Sequence, residues 1–116
     1  MTSQEALRVL DGWLPWCSLE NCWRGSTIPS EPGLYRVRRA GQENLDYIGQ
    51  TGVTLRRRLA MLRGVFRAEM PFRDPHTAAP GFWALRHALG CTFQACVLPV
   101  QGDTRYRKGL EVSCEA

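Results

Sequence analysis

An α+β fold, a small three-stranded antiparallel sheet flanked by helices, is what this chain predicts, and three observations predict it. The chain has 116 residues with 44% hydrophobic content, which suits one small domain with one packed core and argues against disorder. Three runs read as strands, "GLYRVRR", "LDYIG" and "CTFQACVLPV", each rich in β-branched, aromatic or alternating apolar residues. Between and around them, apolar residues recur at helical spacing.

Taken in order, Thr2 and Glu5 form a possible capping box, and Ala6, Val9, Leu10 and Trp13 follow at helical intervals. Pro15 to Pro32 reads as an irregular connection, in which Trp13, Trp16 and Trp23 cover one side of the core; packing is favoured over base stacking for them. The strand "GLYRVRR" starts after Pro32. The link "AGQEN" joins it to "LDYIG" in an antiparallel hairpin. Thr54 caps a helix expected from Leu55 to about Arg67. "EMPFRDPHTAAP" is a loop punctuated by Pro71, Pro75 and Pro80, and "GFWALRHAL" a short helix stopped at Gly90. "CTFQACVLPV" is apolar enough to be buried. "GDTRYRKGLEVSCEA" is a last helix capped by Asp103 or Thr104. That helix has no stop signal before Ala116, so a fragment cut within an element is expected. The order is α–β–β–α–α–β–α, with residues 1–31 as an N-terminal extension and 32–116 as the main domain.

The composition limits the function classes. No apolar run reaches the length of a membrane span, and "MTSQEALRVL" lacks a signal-peptide core, so a soluble cytoplasmic protein is expected. The cysteines are Cys17, Cys22, Cys91, Cys96 and Cys114, with no Cys-x-x-Cys pair and neither His76 nor His87 at a zinc-finger spacing. They read as reduced thiols, with Cys17 and Cys22 a weak metal or disulfide candidate. Net charge is +4, and Lys108 is the only lysine among 15 basic residues. Arginine suits forked recognition of phosphate or carboxylate, although GC-rich coding also favours it.

The charge is concentrated in "YIGQTGVTLRRRL", residues Tyr47 to Leu59. At about 100° per residue, Leu55, Leu59, Leu62 and Phe66 form one apolar stripe. Arg57 is nearly opposite it, and Arg56, Arg63 and Arg67 line one flank, either solvated or tracking a phosphate backbone. Arg58 lies on the other flank, beside the stripe. A partly buried guanidinium needs an anion: an ion pair with Asp46 or Glu43, its head led out to water, or a ligand.

"Gly33-Leu34-Tyr35", then "Tyr47-Ile48-Gly49", Thr51 and "Leu55-Arg56-Arg57-Arg58-Leu59" together resemble the GIY-YIG nuclease domain. The resemblance covers Pro32 to the C-terminus. It implies a small three-stranded antiparallel sheet flanked by helices, and cleavage of DNA phosphodiesters. By motif it implies catalytic roles for Tyr35, Tyr47, Arg58 and Glu111, with Glu115 the alternative carboxylate. Arg58 would neutralise a phosphate oxygen, Tyr35 would position or deprotonate the attacking water, and Tyr47 would orient water or phosphate. Glu111 would hold a divalent metal, Mg²⁺ or Mn²⁺, to stabilise the leaving oxygen. Gly49 would let the backbone pass closely under the site. Arg56, Arg63, Arg67 and His76 would face DNA.

Two departures stand out. Leu62 occupies the position one turn after Arg58 where many members carry His or Tyr, so His76 or His87 is the candidate replacement; surface or helix packing is the competing reading of each. The chain also ends before the asparagine that often follows the glutamate helix. The rival functions are a DNA-binding module without catalysis and a protein-interaction domain.

Overall fold

The computed structural model describes residues 8–22, 24, 27–73 and 75–115, with side chains through residue 112. It is an α+β fold in which four strands form one antiparallel sheet: β1 (Cys17–Ser18), β2 (Gly33–Arg39), β3 (Tyr47–Thr51) and β4 (Phe93–Pro99), in the order β1-β4-β2-β3. Residues 8–10 are helical, and the later helices are α1 (Leu55–Ala60), α2 (Ala79–Leu89) and α3 (Thr104–Glu115), with a 3₁₀ turn at Arg63–Phe66.

The expected three strands are present, and β1 is a fourth. It pairs Cys17 with Ala95 and Ser18 with Gln94 at the outer edge of β4. Residues this short carry no alternation of their own; Leu19 N–H donating to the Phe93 carbonyl at 3.0 Å continues the pairing. The N-terminal segment therefore belongs to the sheet, and Leu19, Cys22 and Ile28 lie in the main core. Cys17, Cys22, Cys91 and Cys96 are free thiols. The capping box of Thr2 and Glu5, Trp23 and Cys114 lie outside the residues whose side chains are described.

Alternation on β2 divides the molecule into two layers. Tyr35 and Val37 point to one face, where they meet Leu55, Leu59, Leu62, Phe82 and Phe93. Leu34 points to the other, where it meets Leu98, Val100 and Leu110, covered by Val9, Leu10 and Trp13. Thus α1 and α2 pack on the Tyr35 face and α3 on the Leu34 face. On the latter, Arg107 of α3 donates from Nε to the Gln50 side chain at 3.1 Å.

Local chemistry sets most boundaries. The Thr54 side chain accepts from Arg57 N–H at 3.2 Å and starts α1. Asp103 does the same for Tyr106 N–H at 2.9 Å and starts α3. Gly90 ends α2 with a left-handed φ of 63°. The helix expected through Arg67 stops at Ala60. Leu62 N–H bonds the Leu59 carbonyl at 3.0 Å and Val65 N–H the Leu62 carbonyl at 3.1 Å, the tighter three-residue step of a 3₁₀ turn. Gly64 in this stretch weakens an α-helix by about 1 kcal/mol relative to alanine. Leu62 and Val65 are buried by that tightening, so the flank assigned to Arg63 and Arg67 by α-helical angles does not hold.

Among the described residues, no helix is long and apolar enough to cross a membrane.

Candidate functional site

Cross-strand register brings the two tyrosines together. Tyr35 on β2 stands opposite Gly49 on β3, and Val37 opposite Tyr47, so both phenols share a face. Their rings stack with centroids 5.9 Å apart at 29°. A methyl group on residue 49 would lie 2.6 Å from Tyr35 Oη and 2.9 Å from Tyr47 Cε1. Gly49 is thus required by the space under the tyrosine pair; its φ is not among the positive values, which belong to Gly41, Gly90 and Gly102. The expected close approach holds, with side chains as the approaching groups.

The half-buried Arg58 reaches in from α1, its Nε donating to Tyr35 Oη at 3.3 Å. The carboxylate proposed for it is engaged elsewhere: Asp46 accepts from Arg39 N–H at 2.8 Å and pairs with the Arg39 guanidinium at 3.3 Å, closing the hairpin. Among the described residues no carboxylate forms a salt bridge with Arg58.

Of the two histidines named as candidates to stand in for the residue missing at Leu62, His76 is the one beside Tyr35. It comes from the proline-punctuated loop before α2, is fully buried, and puts Nε2 2.8 Å from Tyr35 Oη. Its ring also meets Tyr47 edge-on, with centroids 5.4 Å apart. Ala78 N–H donates to His76 Nδ1 at 3.2 Å. A backbone N–H can only donate, so Nδ1 holds the lone pair and the neutral ring carries its proton on Nε2. Nε2–H therefore donates to Tyr35.

Electrostatics agree with that assignment. Burial pushes His76 down from its ordinary 6.5 to about 4, and the Arg58 charge pushes the same way. Burial drives the Tyr35 phenol well above its ordinary range; the hydrogen bond from Arg58 opposes this but does not overcome it. At neutral pH both groups are uncharged. Tyr35 accepts from Arg58 and His76, and a side-chain hydrogen bond with Tyr47 also favours its protonated form.

The remaining expected residues separate into groups. Arg56 Nε donates to the Ile28 carbonyl at 3.2 Å, tying α1 to the N-terminal segment. Arg63 and Arg67 are exposed. His76, expected to face DNA, instead braces Tyr35 from inside the core. His87 stacks on Trp83 at 3.9 Å on the surface of α2 and donates from Nδ1 to the Trp83 carbonyl at 2.9 Å. Glu111 is partly buried on α3 beside Leu110, on the helix that packs on the Leu34 face. The side chain of Glu115 is outside the described residues.

Trp13 and Trp16 present their rings to arginines. The Arg36 guanidinium lies 3.8 Å from the Trp13 ring and 5.2 Å from that of Trp16, and Arg38 lies 3.8 Å from Trp16. These faces are used within the fold, in accord with packing.

For a metal, Glu111 offers the hard carboxylate oxygen that Mg²⁺ or Mn²⁺ takes, and Mg²⁺ is commonly held by one or two carboxylates completed by water. Its carboxylate chemistry suits such an ion, but α3 carries it on the Leu34 face, on the other side of the sheet from Tyr35 and Arg58. Among the described residues no group of three or more His, Cys, Asp and Glu side chains gathers into a larger metal centre.

Compared with known proteins, the chain matches no family model, no curated protein and no solved structure.

Proposed function

We propose that this protein is a metal-dependent endonuclease domain that hydrolyses phosphodiester bonds of DNA. The observation that carries the reading is Arg58: a half-buried guanidinium anchored on Tyr35 with no described carboxylate to neutralise it. A desolvated cation of this kind binds an anion strongly, and its planar fork matches two phosphate oxygens. Tyr35, fixed by Arg58, His76 and Tyr47, anchors the guanidinium that meets this phosphate. Tyr47, half-buried beside it, lines the approach. Glu111 is the carboxylate that the resemblance names for Mg²⁺ or Mn²⁺, and α3 carries it on the opposite face of the sheet from Arg58.

A DNA-binding module without catalysis is the second reading. It draws on Tyr35 being only 1% exposed and on α3 packing against the opposite face of the sheet.

Plasmid DNA incubated with the protein, with Mg²⁺, Mn²⁺ or a chelator, tests both. Nicking or linearisation that requires the metal and disappears in Arg58→Ala supports the nuclease. Salt-sensitive retardation with intact plasmid in every lane selects the binding module. Absence of both overturns the DNA reading.

A further inference from the structure

The loop between the 3₁₀ turn and α2 carries a feature that the proposed active site does not use. Phe72 is 67% exposed and Met70 43% exposed, although aromatic side chains nearby, Phe82 and Phe93, are buried. Burying a phenylalanine stabilises a fold, so an exposed one forgoes that gain. One exposed apolar residue by itself calls for no explanation. This one has specific surroundings. Phe72 N–H donates to the Met70 carbonyl at 3.0 Å, which folds the tip into a tight turn. The Arg73 guanidinium lies 5.5 Å from the Phe72 ring centroid.

The surface under the tip is a chain of adjoining hollows. One is lined by Met61, Arg63 and Pro75, next to Arg58, whose Nη1 lies 3.5 Å from Met61 Sδ. The next is lined by Arg63 and Arg67, and the third by Arg67, Phe72 and Arg73. Arg63 and Arg67 each border two hollows, so a basic track leads from the candidate site to Phe72. Among the described residues Glu20 and Glu69 are the carboxylates along it, outnumbered by the arginines. Arg63, Arg67 and Arg73 form no salt bridge among the described residues.

An apolar tip held between cations fits a polyanion with an apolar interior, and duplex DNA is that object: charged phosphates outside, stacked bases inside. We propose that Phe72 is a wedge that enters the base stack of duplex DNA lying along Arg63, Arg67 and Arg73. The proposal rests on the DNA reading above and assigns its substrate class: duplexes that are mismatched or readily unstacked. Parting a base step costs a few kcal/mol in an intact duplex and less at a mismatch. The tip therefore converts a structural defect into affinity.

The test uses the full chain with a chelator present, so that cleavage does not intervene. Binding is measured to a perfect duplex and to the same duplex with one mismatch, and permanganate reactivity of thymines reports unstacking. Wild type is expected to prefer the mismatched duplex by about tenfold, equivalent to about 1.4 kcal/mol, with new reactive thymines. Phe72→Ala is expected to bind both equally and produce no reactive thymines, and Phe72→Trp to keep both properties. Because the side chain is exposed, neither change threatens the fold; circular dichroism checks this. Wild type that binds DNA without preference, or Phe72→Ala that retains the preference, overturns the wedge and leaves the DNA reading standing. Failure of wild type to bind either duplex at low salt overturns both.

Discussion

Tyr35 and His76 are joined by a 2.8 Å hydrogen bond whose direction is fixed from behind, because Ala78 N–H occupies the other ring nitrogen. The histidine is consequently a donor to the phenol oxygen, and Arg58 is the second donor. This arrangement holds the phenol still and leaves it protonated. Neutral His76 has no open lone pair with which to accept a proton from water, so its role is to position Tyr35.

The buried neutral histidine predicts an acid-sensitive fold. His76 ionises near 6.5 in the unfolded chain and at about 4 when folded, so between these values the unfolded state binds the extra proton. The stability from neutral His76 is complete above 6.5 and is lost as pH falls toward 4, by about 3 kcal/mol in total. Urea unfolding at pH 7.5, 5.5 and 4.5 should show this decline, and His76→Gln should flatten it. An equal slope in both proteins would assign the acid response to other groups.

Gly49 and Gly81 should respond to alanine in opposite ways. At Gly49 the added carbon meets Tyr35 Oη at 2.6 Å and Cζ at 2.7 Å, atoms of a ring packed on all sides. Overpacking of this kind costs about 1–3 kcal/mol, and it should also displace Tyr35 from Arg58. At Gly81, inside α2, the added carbon has nothing within 4 Å. There the change should raise stability by about 0.4–1 kcal/mol by restricting the unfolded chain. Thermal melts of the two variants should move to either side of wild type; a shared direction would contradict the packing described around Gly49.

Strand alternation made β2, β3 and β4 legible in the sequence, and capping residues and Gly90 marked helix ends, because those signals act within a few residues. The two tyrosines were singled out as a pair only by the resemblance; strand alternation alone reads them as ordinary strand aromatics. β1 was not legible, since two residues become a strand only when β4 is beside them. His76 was named as a candidate, but its burial was not legible, since its loop has no periodicity and that burial depends on α2 folding back over Tyr35 and Tyr47. The break after Ala60 was underread because the apolar positions Leu55, Leu59 and Leu62 suit an α-helix and a 3₁₀ continuation alike.

Arg58 should be separable from the surface arginines by its salt and fork dependence. Arg58→Ala should reduce cleavage by about 10²–10³-fold, the range for loss of one preorganised donor to a developing negative charge. It should also lower the slope of log affinity against log salt by about 1 if the guanidinium meets a phosphate. Arg58→Lys should restore the salt slope but not the cleavage, because the ammonium lacks the planar fork. Full activity in the lysine variant would show that charge alone suffices.

Glu111→Gln keeps shape and removes the anionic oxygen. With Glu111 as the metal ligand, cleavage in Mg²⁺ should disappear, while duplex affinity in chelator stays within about twofold, below the tenfold step that 1.4 kcal/mol represents. Cleavage at the wild-type rate would remove Glu111 from the site, and α3 would then serve only to cover the Leu34 face.

Tyr35→Phe isolates what the phenol oxygen does. The ring remains, so packing against Tyr47 and His76 is kept, but His76 Nε2–H loses its acceptor in the core. Losing this hydrogen bond in the core costs about 0.5–1.5 kcal/mol. Arg58 loses its Nε anchor as well, and its freed guanidinium should still attract DNA. The variant should therefore unfold at lower urea, bind duplex within about threefold of wild type by the affinity relation, and cleave poorly. The double variant Tyr35→Phe, His76→Phe removes donor and acceptor together and should recover part of the stability relative to the sum of the single changes. Strict additivity in that cycle would mean that the 2.8 Å contact contributes no coupling, and the positioning role of His76 would be wrong.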